Sequence, residues 1–394
     1  MRGTVVPVIG GRQVGEEMHA KVLRPPYPVR RSPDVAAARS HSARWAHEIG
    51  ILAAPESGFR VWDERDFSDF DFALFGALVH PSARGDLLNL VADWYVWGWY
   101  LDDLMLHRFK RPRDLLGAQA FLKRLSAFAC GSPPRPANPA ERGLADLWAR
   151  TISNHPPAWR DRLGGRLPNL FDDALWEIDN LARGQVPEPV DYLQVRRAAG
   201  GALWAAQLVE HVLGLDLPAD LMARQVFTRA ADAFTDVVDL HNDLVSYRRE
   251  TEYEQEVSNA VVVFRAHTGD GQTKAADAVE RLLDSRLALF DRLITTDIPA
   301  TLASEAVGAD ITSAVMRYLD GLKHWLAGDY QWHLETRRYH ESSWRRSYRP
   351  PTARGIGTSA THPAWTPTTR VPGTDRPGQT TEPAQTRRAH RYLT

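Results

Sequence analysis

Between Pro33 and Tyr339, apolar residues recur at helical spacing in one segment after another, and this periodicity limits the fold more than any other feature. The first such segments are PDVAAARSHSARWAHEIG, DFSDFDFALFGALVH, GDLLNLVADWYVWGWYLDDLMLHRF and DLLGAQAFLKRLSAFAC. In NPAERGLADLWART, Asn138 stands as an N-cap with Pro139 in the first turn and Glu141 at the third helical position, a capping-box arrangement. RLPNLFDDALWEIDNLARG, PVDYLQVRRAAGGALWAAQLVEHVLGL and the runs 221–248, 271–293 and 304–339 continue the pattern. Alternation of β-branched residues is brief, in VVPVIGG and VVVF only. The expected fold is therefore all-α, one domain of ten or more helices over residues 34–345. No fixed-period repeat points to a solenoid.

Composition narrows the function classes. A chain of 394 residues with 43% apolar content can bury a large core. A net charge of −1 argues against a nucleic-acid partner. The charge is uneven, with eight Arg against Asp375 and Glu382 from residue 346 onward. Residues 1–33, rich in Pro, Gly and Arg, read as a partly disordered arm. Residues 346–394, rich in Pro and Thr, read as a disordered tail that cannot offset its ordering entropy. The single Cys130 excludes an intramolecular disulfide and a multi-Cys zinc site. No secretory or membrane-spanning stretch is evident, so the expectation is a soluble, cytoplasmic protein with no membrane partner. Thirteen Trp imply a large aromatic interior.

Two motifs could carry chemistry. In HNDLVSYRRE, Asn242, Ser246 and Glu250 stand four residues apart and share one helix face. Their amide, hydroxyl and carboxylate oxygens suit a hard divalent cation, and Arg249 adds a positive charge suited to a phosphate. The same spacing also suits a solvated polar face, against which the apolar residues upstream weigh. The second motif is Asp102–Asp103, which ends the aromatic stretch DWYVWGWYLDD. Paired carboxylates there need a metal, a cation or water; Arg108, Lys110 and Arg111 are nearby candidates. A rival acidic pair, Asp172–Asp173 with Glu177, has better carboxylate spacing. Arg196–Arg197, ahead of a helix-breaking Gly200–Gly201, and Arg338–Tyr339 could serve a phosphate or be ordinary surface groups.

These segments together resemble the bacterial class I terpene synthases, most closely the germacradienol/geosmin synthase group. The likeness spans about residues 24–340 and is anchored by PPYPVRRSPD, DWYVWGWYLDD, HRFKRPRDLLGAQAFL, ANPAERGLADLWART, DYLQVRRAAGGALW, NDLVSYRRE and WHLETRRYH. It implies a helical bundle with a central active-site cavity and Mg2+ ions, three in number. Asp102 and Asp103 match the aspartate-rich metal motif, and Asn242, Ser246 and Glu250 the metal triad. Arg249, Arg196, Arg338 and Tyr339 match diphosphate-contacting positions, and Gly200 the position whose backbone carbonyl faces the reacting carbon. Position in the chain favours Asp102–Asp103 over Asp172–Asp173, because the acidic motif should lie far upstream of the triad.

The chain departs from the family at His107, where relatives carry a third acid, and at Leu104, Met105 and Ala199. The implied activity is that of a sesquiterpene synthase cyclising farnesyl diphosphate to a germacradienol-like product, as a monomer or homodimer. Phe72, Phe75, Trp99 and Trp332 are the expected aromatic pocket residues. The alternatives are a diterpene synthase acting on geranylgeranyl diphosphate, and a catalytically impaired homologue serving as a binding protein. A chain-elongating prenyltransferase would carry a second Asp-rich motif in place of HNDLVSYRRE.

Overall fold

The computed structural model describes residues 24–53, 60–129, 133–153, 155–199 and 201–347, and every regular element among them is helical. Most of the expected arm and tail, VVPVIGG, Cys130 and Gly200 lie outside these residues. The helices run α1 (Val35–Ile49), α2 (Glu64–Phe70), α3 (Phe72–Val79), α4 (Gly85–Met105), α5 (Leu115–Ser126), α6 (Pro139–Ile152), α7 (Pro157–Gly164), α8 (Arg166–Arg183) and α9 (Pro189–Ala199). They continue as α10 (Ala202–Val212), α11 (Ala219–Met222), α12 (Gln225–Arg248), α13 (Ala260–Thr268), α14 (Gln272–Arg292), α15 (Ile298–Ser304), α16 (Ala309–Glu335) and α17 (Glu341–Ser347). Wider π-type turns, Leu106–Lys110, Arg249–Glu254 and Leu293–Asp297, extend α4, α12 and α14.

Local chemistry explains where the elements start and stop. The Asn138 side chain accepts the Glu141 N–H at 3.0 Å, as the capping reading requires. Glu141 does not complete the box, however. Its carboxylate takes the Ala137 N–H at 2.7 Å while bonded to Arg124 at 2.6 Å, so the ion pair sets its direction. Asp34 starts α1 without capping it, because its carboxylate accepts the Gly85 N–H at 2.9 Å and ties α1 to the start of α4. α9 ends at Ala199 and α10 begins at Ala202. Three readings shift. VVVF lies within α13, the run 221–248 is interrupted before Gln225, and Arg338–Tyr339 lie beyond the end of α16.

The core is organised by α3 and α4. Every residue of α3 is buried, and α4 buries Trp94, Tyr95, Trp97 and Tyr100 around its girth, so neither helix keeps a solvent face. α3 is held between α4 and α16. Among the described residues, no helix is long and apolar enough to cross a membrane.

The α3–α16 contact allows no side chain at Gly328. A Cβ there would lie 2.4 Å from the Leu78 carbonyl oxygen and 2.7 Å from the Val79 nitrogen, both backbone atoms that cannot swing aside. Gly328→Ala should therefore lower the unfolding free energy by about 1–3 kcal/mol, read from the denaturant midpoint. An unchanged midpoint would mean that the two helices can part without cost.

Candidate active site

Side chains from α4, α8, α9, α10, α12 and α16 enclose a cavity of about 280 Å³. Trp99 and Asp102 reach it from α4, Arg196 from α9, and Asn242 and Ser246 from α12. The π-type turn after α12 adds Arg249 and Glu250, and the segment after α16 adds Arg338 and Tyr339. Residues singled out from distant stretches of sequence thus share one wall. Gly201 also lines the cavity, whereas its expected partner Gly200 falls outside the described residues.

The two aspartates behave differently. Asp103 is buried and accepts from Arg249 at 2.5 Å, from both Arg338 amino groups at 2.7 and 2.9 Å, and from the Trp62 indole at 2.6 Å. Burial alone would raise its pKa, but the Arg249 and Arg338 guanidiniums outweigh it and hold the carboxyl well below the usual range. Asp102 keeps 56% of its side chain exposed and meets Arg338 only at 3.4 Å. Asp102 therefore lines the cavity, while Asp103 locks two arginines behind it. The nearby cations expected as partners go elsewhere. Lys110 pairs with Glu177 and Glu256, and Arg111 lies over the Tyr253 ring at 4.4 Å.

Around the triad, Ser246 donates to the Asn242 carbonyl at 2.7 Å, and Asn242 donates through Nδ2 to the Tyr339 hydroxyl at 3.2 Å. Glu250 accepts from Asn259 at 2.9 Å. Burial, then the neighbouring Asp243 and Glu254, push Glu250 up to about 8. Arg196 pairs with Asp243 at 3.2 Å and with Asp173 at 3.8 Å, while Arg197 turns to Asp236 at 2.7 Å. His107, the family departure, is held by Arg111 at 3.1 Å and packs edge-on to Tyr253. It is not among the residues lining the cavity.

The aromatic expectation needs correction. Only Trp99 of the four candidates lines the cavity. Phe72, Phe75 and Trp332 form a layer behind it, with ring centroids 5.0, 4.9 and 5.4 Å from Trp99. They are on the buried helix α3 and on α16, and they pack against Trp99 without lining the cavity themselves. Part of the rival acidic motif is also at the cavity. Asp173 and Glu177 line the cavity, as do Lys110, Asp239, Glu254 and Glu256. Sequence reading missed this polar wall, since its members come from separate segments. His241, Asp329 and His333 form a further buried group whose ligand-type atoms lie close together, with His241 Nδ1 2.8 Å from Asp329.

Comparison with known proteins bears on this geometry. Residues 93–288 match the family model described as terpene synthase family 2, C-terminal metal binding, a span that holds Asp102 and the triad. The pristinol synthase of Streptomyces pristinaespiralis is 28% identical over 325 residues, covering 81% of this chain and 85% of that protein. The chain belongs to the bacterial class I terpene synthases. It is accordingly a terpene cyclase acting on prenyl diphosphates, from a metal-binding family. Another relative of the synthase is the (+)-T-muurolol synthase of Roseiflexus castenholzii, 26% identical over 75% of this chain and 86% of that protein and described as cyclising (2E,6E)-farnesyl diphosphate. The fold matches the crystal structure of germacradien-4-ol synthase from Streptomyces citricolor with a TM-score of 0.71, at 24% identity over 81% of this chain and 99% of that one.

The unequal roles of the two aspartates in the synthase can be measured. Asp103→Ala leaves two buried guanidiniums short of their main counter-charge and should cost about 3–5 kcal/mol of stability. Asp102→Ala, at a half-exposed position, should cost less than about 1 kcal/mol. Equal denaturant midpoints for the two variants would contradict the lock.

Proposed function

We propose that the chain is a Mg2+-dependent sesquiterpene synthase that ionises and cyclises farnesyl diphosphate, releases diphosphate and forms a germacradienol-like C15 product. The observation that carries the reading is that Asp102, Asn242, Ser246 and Glu250 open onto one cavity that Trp99 also lines. The farnesyl relative supports the chain length.

The donor set fits a small hard cation. Tyr339 occupies the Asn242 amide nitrogen, which leaves the carbonyl oxygen to the cavity. The Ser246 hydroxyl has spent its hydrogen on the backbone and keeps its lone pairs. Glu250 is a buried carboxyl crowded by other acids, a group that gains from a nearby cation. Asp102, Asn242, Ser246 and Glu250 would hold the ions, three by family resemblance, with Asp103 set behind Asp102. When bound, Mg2+ neutralises the charge that builds on departing diphosphate.

The chain's own residues supply the rest. Arg196, Arg249, Arg338 and Tyr339 offer N–H and O–H donors on the side where the diphosphate would lie, and preplaced donors lower the barrier to ionisation. Arg249 and Arg338 are committed to Asp103, so accepting a diphosphate means sharing or exchanging that partner. The Trp99 face can stabilise a passing carbocation by about 0.5–2 kcal/mol. Gly200 keeps its assignment beside the reacting carbon by resemblance alone. The aromatic layer behind Trp99 keeps bulk water out, as a carbocation requires.

Purified protein incubated with farnesyl diphosphate and Mg2+ should release diphosphate and yield a cyclic C15 product by gas chromatography and mass spectrometry. Asn242→Ala, Ser246→Ala and Glu250→Gln should each lose about 100-fold or more in turnover while staying folded. Undiminished turnover in all three would remove the triad from the mechanism, and a product from geranylgeranyl diphosphate alone would replace C15 by C20.

Metal binding should also depend on pH. With Glu250 raised to about 8, the proton competes with the cation at neutral pH. Apparent Mg2+ affinity should strengthen as pH rises from about 6 to 8, with protons released on binding, as calorimetry in buffers of different ionisation enthalpy would read. An affinity constant across that window would show that Glu250 is not a ligand.

A further inference from the structure

A second hollow, of about 650 Å³, shares no lining residue with the central cavity. It lies at the other end of the same helices. Arg84, which lines it, immediately precedes α4, whereas Asp102 stands in the last turn of that helix. At 1.5 Å per residue, about 27 Å of helix separates the two. α16 repeats the arrangement, with Arg317 near its start at the second hollow and His333 near its end at the central cavity.

The second hollow is basic. Arg30 and Arg31, ahead of α1, join Arg84 and Arg317 in its lining, and all four side chains are exposed, so a solute reaches them from solvent. Asp320 is the one carboxylate of the lining, and it lies 3.4 Å from His324. Among the described residues, no carboxylate stands within ion-pair distance of any of the four guanidiniums, whereas Arg196, Arg249 and Arg338 of the central cavity each have one. Two of the four are nonetheless held in place. Arg84 Nη1 donates to the Pro81 and Ala83 carbonyls, both at 2.7 Å, and Arg317 Nη2 donates to the Leu213 carbonyl at 3.0 Å. Backbone carbonyls orient a guanidinium without neutralising it, and the remaining N–H groups of each fork stay open to an anion. Val79, Val209, Val212 and Leu213 add apolar surface to the same hollow. Gly321 keeps α16 close to it, since a Cβ there would stand 2.4 Å from Val209 Cγ1 and 3.1 Å from Leu213 Cδ1.

We infer that this hollow is a second ligand site, remote from the catalytic one, and that it binds a prenyl diphosphate. Four guanidiniums against one carboxylate need a multivalent anion, and guanidinium forks match phosphate oxygens in pairs. The apolar surface selects an anion that carries a hydrocarbon portion. The volume falls within the roughly 300–1,000 Å³ of small-molecule sites, and a concave site encloses a solute better than it meets a flat membrane. The choice of a prenyl chain as the hydrocarbon rests on the proposed function; the anion site does not.

The test is equilibrium dialysis of the full-length protein with Mg2+ and farnesyl thiodiphosphate, in which a bridging sulfur resists ionisation. The wild type should fill both sites, read as about two molecules per chain. The Arg84→Gln/Arg317→Gln variant should bind a single molecule and still turn over farnesyl diphosphate within about threefold of wild type, which also shows that it is folded. Arg30→Gln/Arg31→Gln, on exposed side chains ahead of α1, should weaken the second site about tenfold and serves if the first variant does not fold. A single molecule bound alike by wild type and both variants overturns the second site and leaves the synthase reading intact. A single molecule bound by wild type and lost in the arginine variants upholds the second site and removes the substrate from the central cavity. No binding overturns both. Binding of phosphatidylglycerol vesicles that needs these arginines, without a second molecule of the soluble analogue, overturns the proposal in favour of a lipid headgroup.

Discussion

Asp103 gathers Arg249, Arg338 and Trp62 around one buried carboxylate, and the cavity takes its form from that contact. Arg249 belongs to the turn that extends the triad helix, Arg338 to the segment after α16, and Trp62 to the approach to α2. A single anion therefore joins three remote stretches of chain to the end of α4. It supplies counter-charge to both buried guanidiniums, with Glu254 adding a second partner for Arg249 at 3.0 Å, and so offsets their desolvation cost. The same contact gathers positive charge at the cavity where the proposed diphosphate would arrive.

The cavity lining mixes two chemistries. Trp99 lines it, stiffened by Phe72, Phe75 and Trp332, whose mutual edge and stacked contacts leave it little freedom. Asp173, Glu177, Asp239 and Lys110 line it as well.

Much of this was legible in the chain. Helical spacing gave the all-α class, Asn138 gave the start of α6, and the step of four residues in Asn242, Ser246 and Glu250 put three oxygens on one face. Family resemblance brought in Arg196, Arg338 and Tyr339, for which the residues alone left a phosphate role and an ordinary surface role both open. The misreadings share one cause. Phe72, Phe75 and Trp332 look like pocket residues because their aromatic character is visible, but burial from every side is not. Asp173 ranked below Asp102 on chain order as a metal motif, and its place among the cavity-lining residues comes from the packing of α8.

What the sequence determined by itself is local. Periodicity, capping and side-chain chemistry act within a few turns of helix, so they fix which segments coil and which oxygens share a face. What only the tertiary structure decided is pairing at a distance. Asp103 takes Arg249 and Arg338 rather than nearby Lys110 and Arg111, because helix packing brings the remote guanidiniums within hydrogen-bonding reach. Electrostatic partners are chosen by separation in space and by burial, and neither quantity is written in the order of residues along the chain.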